Sequence, residues 1–343
     1  MEGQYGIAQK VYKEDSIFAY QKKRFGARYI EYRKAFDSPV AINNIPSFPL
    51  YIRIETTHKC NLNCVTCFHG VHFKDMKSEF DRKFTHSIMS MKVLDAILEQ
   101  AKEYGLPSIG LNWLGEPTLA KDIDLRISKC VDAGIMDVLM SSNGILVDEN
   151  LAERMIKAGL THMLFSVDAA TEETYKLLRP NGNFKKLNDN IVAFIALRNK
   201  INKGACPRTR VSLVPTKINQ QEINKFVQKY SKIVDYVEIQ PFGNLFKRLD
   251  DLVPENAEKV KFMCGEVFDK LNIDTNGDVY PCCSHYGRDI ILGNVIKDDL
   301  KDIFVNSPIL QMLRNEAFSG DYSLEECKFC QDSMYKYVDK IDH

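Results

Sequence analysis

Six times between positions 50 and 240, a short β-prone run gives way to a segment of helical period. This alternation predicts strands over 50–55, 108–112, 137–141, 162–167, 210–215 and 236–240. It predicts helices over 91–104, 123–133, 149–158, 172–178, 187–199 and 220–233. Strands joined through helices run parallel with right-handed crossovers, which places the chain in the α/β class. Six units are too few for a closed eight-unit barrel. The expected architecture is a partial (β/α)6 TIM-like barrel with its chemistry at the C-terminal ends of the strands. Residues 1–49, with Tyr20, Phe25, Tyr29 and Tyr32 at loosely helical spacing, read as a helical extension packed on the barrel of residues 50–244. Residues 245–343 read as a small cysteine-rich α+β domain. It is entered through a linker-like stretch over 242–257 and a hairpin over 271–280 that turns at Asn276-Gly277.

Lys+Arg and Asp+Glu balance at 46 each in 343 residues, so the chain lacks the basic footprint of a nucleic-acid or anionic-membrane binder. No apolar run approaches the ~20 residues that span a bilayer. The polar stretch from Met1 to Lys13 has no signal-peptide core. A cytoplasmic protein is expected, and in that reducing compartment its ten cysteines are not disulfides. Three of them crowd into 60–67 and five fall between 264 and 330, a clustering that points to metal. Cys130 and Cys206 stand alone and read as small buried hydrophobes.

The segment Thr57-His58-Lys59-Cys60-Asn61-Leu62-Asn63-Cys64-Val65-Thr66-Cys67 directly follows the first predicted strand. Three thiolates at this spacing can hold three corners of one cubane and leave one iron open. A zinc ion completed by His58 or His69 is the competing reading, although zinc sites favour paired C-x2-C motifs. A C-x3-C-x2-C loop after the first strand of a βα array resembles the signature of the radical S-adenosylmethionine (SAM) superfamily. The resemblance runs from Leu50 to about Asn244. It implies a [4Fe–4S] cluster on Cys60, Cys64 and Cys67 whose open iron takes the amino and carboxylate groups of SAM. It also implies one-electron reduction, with flavodoxin or ferredoxin as donor, that cleaves SAM to methionine and a 5′-deoxyadenosyl radical. Thr66 stands where many members carry an aromatic, and Phe68 is expected to cover the adenine instead.

The same resemblance extends to later strand ends. Leu114-Gly115-Glu116-Pro117 is similar to the family's G-G-E-P motif, with Leu114 in place of the first Gly. Gly115, Glu116 and Pro117 are thereby implied to receive the methionine amino group, with the Glu116 carboxylate facing the cation. Ser142-Asn143-Gly144 resembles the S-N-G or T-N-G near the ribose, and read alone is a plain Asn-Gly turn. Ser166-Val167-Asp168 with Arg179 resembles the S-x-D…R pattern that binds the SAM carboxylate and ribose, where a guanidinium fork suits a carboxylate. Read alone, Arg179 is a solvated helix charge. Leu213 and Gln240 are expected to flank the adenosine.

Cys264, Cys282, Cys327 and Cys330 form a second constellation. It resembles the auxiliary-cluster domain of SPASM/twitch radical SAM enzymes in a shorter, one-cluster form. Four thiolates would hold a second, auxiliary [4Fe–4S] cluster with no open iron, and a structural zinc competes for the same donor set. Cys283 is expected to be a spectator, since adjacent side chains of a strand point to opposite faces. The implied activity is that of a radical SAM oxidoreductase that takes hydrogen from a C–H bond and oxidises or epimerises a sugar- or cyclitol-like small molecule. A peptide-modifying maturase and a non-enzymatic iron–sulfur or zinc-binding module are the alternatives. The loop over 242–251 (Asn244, Lys247, Arg248, Asp250) is expected to hold substrate or supply a base.

Overall fold

A computed structural model of the chain describes residues 9–12, 16–38, 44–73, 87–284 and 289–338. A short strand β1 (Gln9–Tyr12) precedes β2 (Tyr51–Ile54), β3 (Ser108–Gly110), β4 (Asp137–Ser142), β5 (His162–Ser166), β6 (Arg208–Leu213) and β7 (Tyr236–Ile239). Strands β2 to β7 are parallel neighbours in sequence order, the partial α/β barrel that the alternation predicts. Local chemistry sets the helices between them. Met91–Tyr104 starts where the Ser90 side chain accepts from the Val93 N–H, and buries Val93, Leu94, Ile97, Leu98 and Ala101 along one stripe. Glu149–Ala158 repeats the device with an Asp148 cap and Leu151, Ala152, Met155 and Ile156 inward.

Alternation along the strands sorts the two faces of the sheet. Ile52, Ile54, Met163, Phe165, Val211, Leu213, Val237 and Ile239 join one apolar cluster with the helices. Burying a side chain such as Phe165 contributes about 1.5–3 kcal/mol. The intervening positions include Tyr51, Arg53, Arg210, Ser212, Glu238 and, in the C-terminal part, Asn272, and they fall on the opposite, concave face. All-parallel sheets usually read apolar on both faces. A polar concave face is therefore not a second apolar core.

The N-terminal part departs from a purely helical extension. Its described residues include the helices Ser16–Phe25 and Ala27–Asp37 and also β1, which pairs antiparallel with β7 and extends the sheet by one strand. The helices close the N-terminal end of the barrel. Gln21 donates to Met136 O and to Asp137 Oδ1 (3.0 Å), and the Tyr29 hydroxyl reaches Asp137 Oδ2 at 3.4 Å.

The stretch over 242–257, expected as a linker, is structured. It opens with β8 (Phe242–Gly243) and leads into β9 (Ala257–Lys259), and both pair with the last strand of the chain in a three-stranded sheet. The predicted hairpin forms as β10 (Lys270–Ile273) and β11 (Asp278–Tyr280), followed by β12 (Gly293–Asn294); the last strand is β13 (Met334–Tyr337). Strand β10 lies parallel to β2, with Ile273 opposite Ile54, so the main sheet has ten strands in the order β1-β7-β6-β5-β4-β3-β2-β10-β11-β12. Phe268, Ile273, Leu300 and Phe304 share the apolar cluster of the barrel. One sheet and one core thus run across position 244.

Candidate active site

The first cysteine loop is built at the C-terminal end of β2 and stapled on every side by backbone. Cys67 N donates to Cys64 O (3.0 Å), Gly70 N to Cys67 O (2.7 Å), and Val65 N to Leu178 O (2.9 Å). Gly70 sits so close beneath the loop that a Cβ there would lie 2.2 Å from Cys64 O. Glu55 roots the next strand's loop by accepting from Leu114 N (2.7 Å) and Gly115 N (3.2 Å), and Glu116 N donates to Lys59 O (2.8 Å). A Cβ on Gly115 would meet Thr57 O at 1.7 Å, so only glycine permits this approach. Asn61, beside Cys60, accepts from Asn143 Nδ2 at 2.7 Å. His58 points elsewhere: its Nε2 lies 2.5 Å from Asp274 Oδ1 and its Nδ1 3.6 Å from Glu55 Oε2. Those contacts occupy one of the two rings, His58 and His69, that a zinc reading would have used.

Cys60, Cys64 and Cys67 are each partly exposed. Burial pushes the Cys60 thiol up to about 11 and Cys67 up to about 12, and raises Cys64, while the Arg179 guanidinium pulls all three back. Arg179 itself is buried and paired with Asp168, with Nε to Oδ2 at 3.0 Å and Nη2 to Oδ2 at 2.5 Å. Asp168 adopts a left-handed backbone (φ 65°) and also accepts from Val214 N at 2.9 Å. The sequence motif thus brings Asp168 and Arg179 together. Beside them the buried Tyr175 hydroxyl has no hydrogen-bond partner among the described residues, while Cys64 and Arg179 are its electrostatic neighbours. An orphaned donor next to an arginine and the Cys64 thiol fits a polar ligand seated at an iron–sulfur cluster.

Glu116 takes a different place from the one its motif implied. Its Oε1 accepts from Thr118 N (3.2 Å), Thr118 Oγ1 (2.6 Å) and Ser142 Oγ (2.7 Å), and its Oε2 from Asn143 N (2.7 Å). Four donors fill most of a carboxylate's capacity, so Glu116 holds the Ser142-Asn143 turn against the loop containing Pro117. Burial still raises its pKa. Ser166 ends β5 opposite Ser212. Phe68 stacks on Phe73 (6.0 Å between centroids), next to a small apolar cluster with Phe242 and Leu249. Leu213 is a correction: it is fully buried in the sheet–helix core, because its strand alternation turns it away from the concave face. Gln240 donates to Glu238 Oε2 at 3.0 Å, two residues back along the chain. The substrate loop is also corrected. Asn244 donates to Asp250 Oδ1 (2.7 Å) and accepts from Leu249 N, so the two close their own turn, while Lys247 lies over Phe329 and Arg248 reaches His72 O.

Cys264, Cys282, Cys327 and Cys330 come from three distant stretches of the chain and line one cavity, walled by Val267, Leu313 and Tyr322. Burial pushes Cys264 and Cys327 up to about 12. Cys283 lines the same cavity. Its expected exclusion fails because β11 ends at Tyr280, so the two-residue alternation no longer governs the Pro281–Ser284 turn. Cys130 and Cys206 are buried and isolated from both sites, as expected.

Three thiols at the rim of an open barrel, joined to polar turns of the following strands, describe an enzyme that anchors a cluster and a small cofactor at its strand ends. A model of the radical SAM superfamily matches residues 54–229, and the chain belongs to that superfamily. A model of an iron–sulfur cluster-binding domain, SPASM, matches residues 264–331, so the protein is a radical SAM enzyme with a C-terminal SPASM domain. Its cofactors are [4Fe–4S] clusters and SAM, and relatives of the same fold have been crystallised with AdoMet bound. The chain is 28% identical over 229 residues to a GTP 3′,8-cyclase of Clostridium botulinum, covering 61% of this chain and 66% of that protein, just under two thirds of its length. Its fold is similar to BtrN in complex with AdoMet and 2-DOIA, with a TM-score of 0.55, 16% identity, and coverage of 85% of this chain and 94% of that one. It is also similar to Streptococcus suis SuiB bound to the precursor peptide SuiA, with a TM-score of 0.55, 18% identity, and coverage of 90% and 74%. Among the described residues no helix is long and apolar enough to cross a membrane.

Proposed function

We propose that this radical SAM enzyme is a cytoplasmic oxidoreductase that dehydrogenates or epimerises a compact, hydroxyl-rich small molecule of the sugar or cyclitol kind. A flavodoxin or ferredoxin is the proposed electron donor. The observation that carries the substrate class is the concave face. Arg210 pairs with Glu238 at 2.5 Å, Arg53 reaches Glu266 at 3.3 Å and Asn272 at 2.8 Å, and Gln240 extends the row. Such paired charges and amides offer donors and acceptors of both kinds to hydroxyl groups. A polyphosphate, as a GTP cyclase handles, asks instead for cations without carboxylate partners.

Cys60, Cys64 and Cys67 would hold the first cluster, with Ser166, Asp168, Arg179 and the turns at Gly115–Pro117 and Ser142–Asn143 around SAM. Cys264, Cys282, Cys327 and Cys330 would hold the auxiliary cluster. When bound, these groups supply a 5′-deoxyadenosyl radical that takes a hydrogen atom and an acceptor for the substrate's remaining electron. The chain's own part is to orient and to exclude water. The plug of Gln21 and Tyr29 on Asp137 closes the barrel floor, and the Glu55 and Glu116 carboxylates fix the loops at its rim. The test is anaerobic reconstitution followed by screening polyols, aminocyclitols and peptides for substrate-dependent 5′-deoxyadenosine. Turnover with a peptide and none with any polyol would overturn the small-molecule reading.

A further inference from the structure

Five thiols, not four, face the C-terminal cavity. Cys264, Cys282, Cys327 and Cys330 are joined there by Cys283, and all five are partly exposed. A fully coordinated [4Fe–4S] cluster takes four thiolates, so one thiol is surplus at any moment. Cys282 and Cys283 are adjacent in sequence and have the same electrostatic neighbours, Cys264 and Cys330. They differ on their other side. Cys283 lies against Arg53 of β2 and hydrogen-bonds to Glu266, and its carbonyl accepts from Trp113 Nε1 at 2.8 Å. The segment that carries both residues has left the ladder of β11, so no strand register commits one thiol to the cavity and the other away from it.

We propose that Cys283 is a second ligand position for the auxiliary cluster, interchangeable with Cys282 at one iron corner. Ligation through Cys283 would use the thiol that lies against Arg53 of β2. Ligation through Cys282 leaves Cys283 as the donor to Glu266. The proposal rests on the auxiliary-cluster reading above, and iron held by Cys60, Cys64 and Cys67 serves as the internal reference.

The full-length protein is reconstituted anaerobically as wild type, Cys282→Ala, Cys283→Ala and Cys282→Ala/Cys283→Ala. Iron and sulfide content are measured together with the Mössbauer and EPR spectra. Each single variant is expected to keep both cubanes, with Cys282→Ala showing an altered auxiliary EPR signal. The double variant is expected to lose at least one auxiliary iron, appearing as a three-iron cluster or as no second cluster. Loss of auxiliary iron in Cys282→Ala equal to that in the double variant overturns the proposal, as does a double variant that keeps every iron. Wild-type protein lacking a second cluster sinks the auxiliary reading itself, a distinct outcome. Should the double variant fail to fold, alkylation of the loaded wild type followed by fragment mass spectrometry decides: label shared between Cys282 and Cys283 supports exchange, and label confined to Cys283 refutes it.

Discussion

The two cysteine sites are made by opposite means. The first lies within eight consecutive residues and owes its shape to backbone hydrogen bonds, two glycine contacts and the buried carboxylates Glu55 and Glu116. The second gathers thiols from three distant stretches into an apolar cavity, and its shape comes from the shared core around Phe268, Leu271 and Leu313. A locally determined site is sensitive to single backbone positions. A core-determined site is sensitive to the packing of the whole domain.

The largest effect expected from this contrast is at Gly70. Gly70→Ala sets a methyl 2.2 Å from Cys64 O and 2.8 Å from Cys67 O, and backbone atoms cannot yield as a side-chain tip can. Reconstituted protein should lose about half its iron and all SAM cleavage, while auxiliary EPR signals persist. Full iron content in this variant would show that the loop is not shaped by that contact. Next comes Asp168→Ala, which strands the buried Arg179 guanidinium. Breaking such a pair costs about 3–5 kcal/mol, to be read from denaturant unfolding, and Asp168→Asn is expected to cost less. An effect below about 1 kcal/mol would mean that water reaches the pair.

A smaller effect is expected at Glu116. Glu116→Gln replaces one acceptor of the Ser142-Asn143 turn with a donor and should weaken SAM binding by about 1.5–3 kcal/mol with iron content intact. Calorimetric titration checks it, and unchanged affinity would detach this turn from the cofactor. The smallest effect is remote from both clusters, at the barrel floor. Burial raises the Asp137 carboxyl above its ordinary value. The folded chain therefore binds this proton more tightly than the unfolded one. The resulting stability is fully present below the ordinary carboxyl pKa of about 3.9 and is lost as pH rises through the folded value. Asp137→Asn should therefore melt above wild type near neutrality, with the gap narrowing on acidification. A gap independent of pH would assign the difference to hydrogen bonding alone.

Much of this was legible in the sequence, for physical reasons that also mark where legibility ends. The barrel strands announced themselves through periodicity, and the C-x3-C-x2-C loop through a spacing with few other uses. Leu213 was misassigned although Arg210 and Ser212 alternate with Val211 and Leu213 along β6, because the expectation followed its place near the strand's end and not the face that the alternation gives it. Strands β1, β8, β9 and β13 have two to four residues each and exist only through partners distant in sequence, a signal that no local window contains. Glu55, Asn61 and Gly70 were missed because their roles are contacts with backbone from other loops. Gly70 alone left a trace, as a glycine three residues after the last cysteine of the loop. Asn244 and Asp250 looked like free polar groups because sequence does not show that they satisfy each other.

The side-by-side pairing of β2 with β10 has a consequence for timing. One strand leads into the first cysteine loop, and the other begins just after Cys264, the first thiol of the second site. Their hydrogen-bonded ladder ties the two cysteine sites into one sheet. Electron tunnelling falls off exponentially with distance, so in the proposed oxidation a shared sheet would make the transfer rate a property of the scaffold. Under the proposed function, substrate would then gate the chemistry by where it places its reacting carbon.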